Sequence, residues 1–405
     1  MISAEGGTSA PKASFAAPVI LFLHNRYRAT GGEERVVEEL LWLVREHLGE
    51  DAELIGRDSA VLGRARAATA LLAGGLQPQD VAAAVRRTRA RLVHAHNLLP
   101  SFGWRGPAAA RDAGARVVLH LHNYRLVCAV GTCFNSRGED CTRCQGRDTL
   151  PGVRLNCRGT RAEAAVYGAA LSLWQRRVAA SADAVVVPSR FALTRLQALR
   201  APLDARRVHV VGHVVRAAAD RSHAGAGRHA LVVSRLAREK GVADAVAACA
   251  RAGLPLVVAG EGPERPRLER LAAQTGAQVR LAGRVGDAEL AALRAQAAVA
   301  LVPSRAAETF GLAAAEAMAA GLPVAATAAG AVAELVDADA LVPVGDVAAL
   351  ASAARGRRGD ARAGDAGLAR IRTVAAPEVV SARLAAVYAA AGGAGPWPDR
   401  SAAKP

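Results

Sequence analysis

Short apolar runs alternate with helical patterns along almost the whole chain, and that rhythm restricts the fold more than any other feature. The runs 19–24, 92–96, 117–122, 184–187 and 208–211 are rich in Val, Leu and Ala. They are short enough to be strands buried on both faces. Helical patterns lie between most of them. Over 33–48, for instance, Val37, Leu40, Leu41, Val44 and Leu48 share one face. Such alternation predicts a parallel sheet covered by helices on both sides. The rhythm pauses over 213–228, where Gly225 and Gly227 lie in a loop-like stretch. It resumes with strands at 230–234, 256–259, 279–282, 299–302 and 324–326.

A chain of 405 residues is long enough for two or three domains. The rhythm divides it into two doubly wound α/β units facing across a cleft. Ligands in such units bind beyond the carboxyl ends of the strands. The expected boundaries are a disordered tail at 1–17, a first domain at 18–212 and a linker at 213–228. A second domain follows at 229–375, then a helix at 376–391 that returns to the first domain. A Gly-, Ala- and Pro-rich disordered tail closes the chain at 392–405.

The net charge is +16, which fits attraction to anions such as an acidic membrane surface or phosphorylated substrates. Compositional bias explains it equally well. Lys12, Lys240 and Lys404 are the only lysines, so 49 of the 52 basic residues are arginine, and they form no block. No nucleic-acid partner is expected. Residues 1–17 lack the apolar core of a secretory signal, and no uncharged apolar run reaches 18 residues. A cytoplasmic protein, attached at most peripherally to the inner membrane face, is the expectation.

The sharpest motif is Glu308-Thr-Phe310-Gly311-Leu312-Ala-Ala-Ala-Glu316, which follows a strand and opens a helix. Backbone N–H groups of Phe310, Gly311 and Leu312 at a helix start can hold a phosphate. Glu316, one and a half turns on, can accept hydrogen bonds from a ribose diol, and Glu308 can reach sugar hydroxyls. Two glutamates at this spacing also occur in ordinary helices. Earlier, Arg235 and Lys240 flank the end of another strand. Arg235 can grip a phosphate through two parallel hydrogen bonds, and Lys240 adds a point charge. Gly260-Glu-Gly262-Pro263 imitates a dinucleotide fingerprint, but Arg265 replaces its third glycine, which excludes a nicotinamide reading. In the first half, Gly31-Gly32 precedes a helix and lets phosphates approach the backbone. His94 and His96 share one strand face and His120 and His122 another, with no local carboxylate to complete a metal site. His122 is the one singled out for a role at the site.

Five of the six cysteines crowd into 128–157. Cys128, Cys141, Cys144 and Cys157 form one Cys-x-x-Cys knuckle with a further thiol on each side, each separated from it by twelve intervening residues. Two readings stand: a structural zinc within a loop at 125–160, or buried free thiols with Cys133 as a spare.

In order and spacing these pieces resemble glycosyltransferase family 4, the retaining enzymes of the GT-B fold. The likeness runs from about residue 19 to 388. It is carried by Gly31-Gly32, Leu121-His122, Arg235 with Lys240, Gly260-Glu-Gly-Pro263, Glu308 and Glu316, Thr327-Ala-Ala-Gly330 and Val344-Gly-Asp346. The stretch 24–34 with 121–128 looks like a cysteine-containing branch found in polysaccharide assembly. Two departures stand out: Ala331 follows Gly330 where the family commonly has a second glycine, and the interdomain segment reads Val-Gly-His213-Val.

The resemblance implies transfer of a sugar from a nucleotide diphosphate to a glycan, lipid-linked or small-molecule acceptor, with retention of configuration. The one Asp-x-Asp, Asp337-Ala-Asp339, follows a different strand from the motif glutamates. Arg235, Lys240 and the helix start are therefore expected to take the leaving group's charge, with no cofactor needed for the chemistry. The competing readings are a non-catalytic binding protein on the same shell and an epimerase or phosphorylase on the same scaffold. A phosphorylase needs a pyridoxal lysine, and Lys240 sits better as a phosphate ligand.

Overall fold

Two six-stranded sheets, parallel throughout, form the framework. The computed structural model describes residues 19–27, 31–218 and 220–392. Residues 1–17 and 393–405, expected as tails, lie outside them. The first sheet contains β1 (Ile20–Arg26), β2 (Ala52–Asp58), β3 (Leu92–Ala95), β4 (Arg116–His120), β5 (Ala184–Val187) and β6 (Val208–Val210), in the order β2-β1-β3-β4-β5-β6. The second contains β7 (His229–Val233), β8 (Leu256–Ala259), β9 (Val279–Gly283), β10 (Ala297–Val302), β11 (Val324–Thr327) and β12 (Leu341–Val342). Its order is β12-β11-β10-β7-β8-β9.

Alternation along the strands explains why both faces are buried. Leu21, Leu23, Val93, Val117 and Leu119 enter one core layer, while Ile20, Phe22, Leu92 and Val118 enter the layer opposite. In the second sheet Leu231, Ala300 and Val302 face one way, and Ala230, Val232, Val299 and Leu301 the other. Each buried Leu, Val or Phe contributes roughly 1.5–3 kcal/mol. Alanines fill much of the layer under helix Leu312–Ala319, including Ala314, Ala315, Ala317 and Ala326. Their small side chains let that helix lie close to the strands.

Two strands escape the periodicity reading. β2 is an edge strand, Ala-Glu-Leu-Ile-Gly-Arg-Asp, mostly half-buried, so it shows no apolar run. β12 is only two residues long. The pattern over 33–48 is an α-helix, Gly32–Leu43, that runs into a π-helical turn, Val44–Leu48. Helix Pro377–Ala390 sends Val380, Leu384, Val387 and Tyr388 into the first-domain core, beside Ile20, Phe22 and Leu40. The chain thus crosses between the two sheets twice. No helix among the described residues is long and apolar enough to cross a membrane.

Candidate active site

In each sheet one strand has its sequence successors on opposite sides. β1 lies between β2 and β3, and β7 between β8 and β10. Loops leaving such a switch point diverge and open a crevice. The two crevices face each other across a cleft of about 1090 Å³. The cleft is lined by Gly31, Gly32, His122, Arg235, Lys240, Gly260, Glu308, Phe310, Gly311, Leu312 and Glu316. Gly262 is the one predicted donor residue not on this wall; its α-carbon is set against the Leu236 carbonyl instead.

On the second-domain wall, the loop after β7 supplies Arg235 and Lys240, and the loop after β10 supplies Ser304 and Glu308. Lys240 Nζ donates to Glu308 Oε1 at 2.7 Å, and Ser304 Oγ donates to the same oxygen at 2.6 Å. Burial alone would raise the Glu308 carboxyl, but the Lys240 charge and these hydrogen bonds outweigh it and hold it below the ordinary range. Gly241 makes the pairing possible. Its φ is +63°, and a Cβ there would lie 1.9 Å from the Pro303 carbonyl oxygen. Only glycine lets the Lys240 turn press against the loop carrying Ser304. Arg235 pairs with Glu239, four residues on. Arg305 grips the buried Asp244 through two bonds of 2.6 Å, which ties the β10 loop to the helix that follows Lys240.

Glu316 is held from both domains. Arg294 donates to one carboxylate oxygen, and Arg35 of the first domain reaches the other at 3.2 Å. Gly32 sits where a Cβ would lie 3.2 Å from Leu312 Cδ1. The Gly31-Gly32 entry thus meets the start of helix Leu312–Ala319 directly. Thr309 Oγ1 donates to the His122 carbonyl at 2.8 Å, and Ser189 Oγ donates to the Thr309 carbonyl at 2.7 Å. The loop carrying Glu308 is fastened to the first domain by both. Ala331, which departs from the family pattern, is buried and lies off the cleft wall, so its methyl does not narrow the cleft. Asp337 and Asp339 pair with Arg370 and Arg357 and are likewise off that wall.

The first-domain wall is built differently. Six of the ten histidines, His24, His94, His96, His120, His122 and His213, are buried in or behind it, with His122 and His213 reaching the cleft. Tyr388 OH and His94 Nδ1 are 2.8 Å apart, His94 Nε2 and His120 Nδ1 3.3 Å, and His96 Nδ1 and His122 Nε2 2.8 Å. The stack continues through His213 to Phe310, whose ring meets His213 edge-on at 5.0 Å. Burial holds His94 and His213 down to about 3, and His96, His120 and His122 well below the usual imidazole value. These five rings are therefore neutral at pH 7. The ring nitrogens of His94, His96 and His120, and those of His120, His122 and His213, lie within 4.8 Å of one another. The His120 and His122 planes are 12° from parallel with centroids 4.2 Å apart, a face-to-face stack.

Two neighbouring glutamates on this wall behave differently. Glu34 accepts from the backbone of Tyr27 at 3.1 Å and of Gly31 at 2.8 Å, so it closes the helix entry. Glu33 accepts from Tyr27 OH at 2.8 Å and Asn123 Nδ2 at 3.1 Å, both on Oε2. Burial raises its carboxyl pKa. Neither Glu33 nor the Arg35–Glu316 and Ser304–Glu308 contacts follow from sequence spacing. The local signals were present, Glu33 beside Gly32 and Asn123 beside His122, but their partners come from distant segments.

The cysteine loop lines the cleft through Arg125, Val130, Gly131, Thr132, Arg158 and Thr160, while its cysteines lie off the wall. Cys144 is pushed up to about 12 by burial and by Cys128, Cys141 and Cys157, so the four thiols share one neighbourhood. Among the described residues no three of their sulfurs lie within 4.8 Å of one another. Cys128 instead pairs with Cys133, whose thiol hydrogen bond lowers it to about 6 despite burial.

Two family descriptions match this chain. Residues 31–214 match the glycosyl transferase 4-like domain, and residues 219–355 match glycosyl transferases group 1. A GDP-mannose-dependent alpha-(1-6)-phosphatidylinositol dimannoside mannosyltransferase of Mycobacterium tuberculosis is 46% identical over 99 residues. That match covers 24% of this chain and 25% of the relative, so the chain spans about a quarter of the length of the curated relatives it matches. Among solved structures, sucrose-phosphate synthase from Thermosynechococcus elongatus superposes with a TM-score of 0.68 at 18% identity, covering 92% of this chain and 98% of that one. Anabaena HepE in complex with UDP gives 0.62 at 17% identity, covering 92% and 99%. With the two domain matches side by side over most of its length and two facing parallel sheets, the chain belongs to the family 4-like glycosyltransferases of the GT-B fold.

Proposed function

We propose that the chain transfers a sugar from a nucleoside diphosphate sugar to a hydroxyl of a glycan or lipid-linked acceptor, with retention and without a metal at the chemical step. The observation that carries this reading is the Lys240–Glu308 pair at the β7/β10 switch point, with Arg235 beside it. As the bond from sugar C1 to the diphosphate oxygen breaks, negative charge grows on the diphosphate. Arg235 and Lys240 stand where that charge arrives, and each such preorganised charge is worth about 10²–10³ in rate. Glu308 orients sugar hydroxyls and keeps Lys240 in place. Glu316 exchanges an arginine for the ribose diol. The acceptor hydroxyl attacks C1 from the face the diphosphate leaves, and its proton passes to the departing phosphate oxygen.

HepE binds UDP and UDP-glucose, and the mycobacterial relative is GDP-mannose-dependent. Both donors belong in the first assay. The net charge of +16 supports peripheral attachment to an anionic membrane, at roughly 1 kcal/mol per basic residue near the surface. A donor at 100 times its dissociation constant adds about 2.7 kcal/mol of stability. A thermal shift with GDP-mannose or UDP-glucose, then an α-configured product in chelator, is the expected result. An inverted product, or turnover that returns only with manganese, would overturn the reading.

A further inference from the structure

Glu33 is a buried carboxylate that engages the fold through only one of its two oxygens. Its neighbour Glu34 does the structural work at the helix entry. Glu33 is 9% exposed, and burying a carboxylate this deeply is costly. Tyr27 and Asn123 both donate to Oε2 and fix the plane of the carboxylate. Among the described residues Oε1 accepts no hydrogen bond; His24 Nδ1, its near neighbour, is 3.9 Å away. The side chain lines both the large cleft and a side chamber of about 70 Å³, whose other walls include Leu71, Leu99 and His122. Asn123 follows His122, whose carbonyl receives Thr309, the residue after Glu308. Glu33 is thus tied through two contacts to the loop that carries the donor-side glutamate.

We propose that Oε1 of Glu33 receives a hydrogen bond from the attacking hydroxyl, making Glu33 the acceptor-binding carboxylate of the first-domain wall. The inference rests on the glycosyl-transfer reading and adds a residue to it. It also names the ligand class at this position, an uncharged hydroxyl of a sugar or polyol, or water in its absence. The anionic diphosphate meets cations on the opposite wall, whereas a neutral hydroxyl needs an acceptor oriented toward it. The bond changes are those already given. Glu33 aligns the nucleophile, and the proton still goes to the departing phosphate.

Water serves as the acceptor in slow donor hydrolysis, so the test needs no known acceptor. The full chain is saturated with whichever of GDP-mannose or UDP-glucose it binds. Hydrolysis is followed together with nucleoside diphosphate affinity. Glu33→Gln should slow hydrolysis about 10–100-fold, the worth of one hydrogen bond to a charged group, and leave nucleotide affinity within about twofold. Tyr27→Phe, which frees one orienting bond, should give a smaller loss in the same parameter. Wild-type hydrolysis should decline on acidification with a midpoint above the ordinary carboxyl value, and the Gln variant should lack that limb. Burial raises that midpoint; among the groups facing Glu33, His24 from β1 and Tyr27 and Arg125 from the adjoining loops lower it, and Glu34 from the same helix raises it. Unchanged hydrolysis, or a parallel loss of nucleotide affinity, overturns the proposal. A wild-type chain that binds both donors but hydrolyses neither also overturns it, whereas binding of no donor at all defeats the glycosyl-transfer reading itself.

Discussion

The ends of the two sheets share a topology and differ in chemistry. Beyond β7 and β10 the polar groups are charged and paired: Lys240 with Glu308, Arg235 with Glu239, Arg305 with Asp244. Beyond β1, β3 and β4 they are mostly neutral rings stacked on one another, with two neighbouring buried carboxylates, Glu33 and Glu34, at the front. In the proposed reaction the first of these walls meets the charge that develops on the leaving group. In the other, burial keeps the stacked rings uncharged. The same switch-point geometry therefore provides two half-sites, and side chains alone decide which substrate each receives.

The largest expected effect would break this comparison on the histidine side. In the folded chain burial keeps five imidazoles from taking a proton, and the value is about 3 for His94 and His213. Unfolded, each takes one near pH 6.5. A depressed imidazole contributes stability that is whole above 6.5 and falls as pH drops toward the folded value. Each loses about 1.4 kcal/mol per pH unit in that window. His94 and His213 together should cost the first domain about 5 kcal/mol between pH 6.5 and 4.5. The depressed carboxyl of Glu308 acts lower, since its contribution is present above the ordinary carboxyl range and is lost only as pH falls through its folded value. Hydrogen exchange at pH 5 should show β3 and β4 amides opening before those of β7 and β10. His213→Asn should reduce the proton uptake on unfolding at that pH by about one. Equal loss of protection in both sheets would remove the contrast.

The second prediction sharpens the charged side. Lys240→Ala should cut turnover by about 10²–10³-fold, since it removes a charge stationed at the leaving group. Glu308 then keeps Ser304 but loses its cation, so its carboxyl should rise toward the ordinary range. Single-turnover rates with saturating donor measure the first effect. The melting temperature should move little, because Lys240 is partly exposed and such ion pairs are weak. Normal turnover in this variant would assign the leaving group to Arg235 or to the helix start instead.

Different physics made some of this legible in advance. A parallel strand buried on both faces shows as an apolar run, so β1, β3 and β4 stand out. The edge strand β2 carries Glu53, Arg57 and Asp58 and does not. Lys240 and Glu308 are visible because each stands at a strand-to-helix transition, where phosphate sites arise, and Glu316 because it follows in the helix that opens there. Their pairings are not, since Arg35 reaches Glu316 only once the two domains face each other. The alternation of His94 with His96 and of His120 with His122 placed each pair on one face. Nothing local joined them to His24 and His213, which come from β1 and from the segment after β6. The clustering of the cysteines is legible in the sequence, as a zinc site or as buried thiols, but the Cys128–Cys133 pairing across the turn is not.

The smallest expected effect tests whether any carboxylate pair on the charged side holds a metal for the reaction. Asp337 and Asp339 form the chain's one Asp-x-Asp, and a glycosyltransferase that neutralises its leaving group with a divalent cation needs such a pair facing the diphosphate. Here Asp337 pairs with Arg370 and Asp339 with Arg357, and neither residue lines the cleft. Both are substantially exposed, so their ion pairs carry little stability. Asp337→Asn with Asp339→Asn should therefore keep donor turnover within about twofold. Turnover in both proteins should be insensitive to chelator. The comparison is made on the same preparations as Lys240→Ala, whose loss sets the scale of an effect at the leaving group. A fall in the double variant that approaches that of Lys240→Ala, reversed by manganese, would move the charge-neutralising role from the Lys240 loop to the turn after β11.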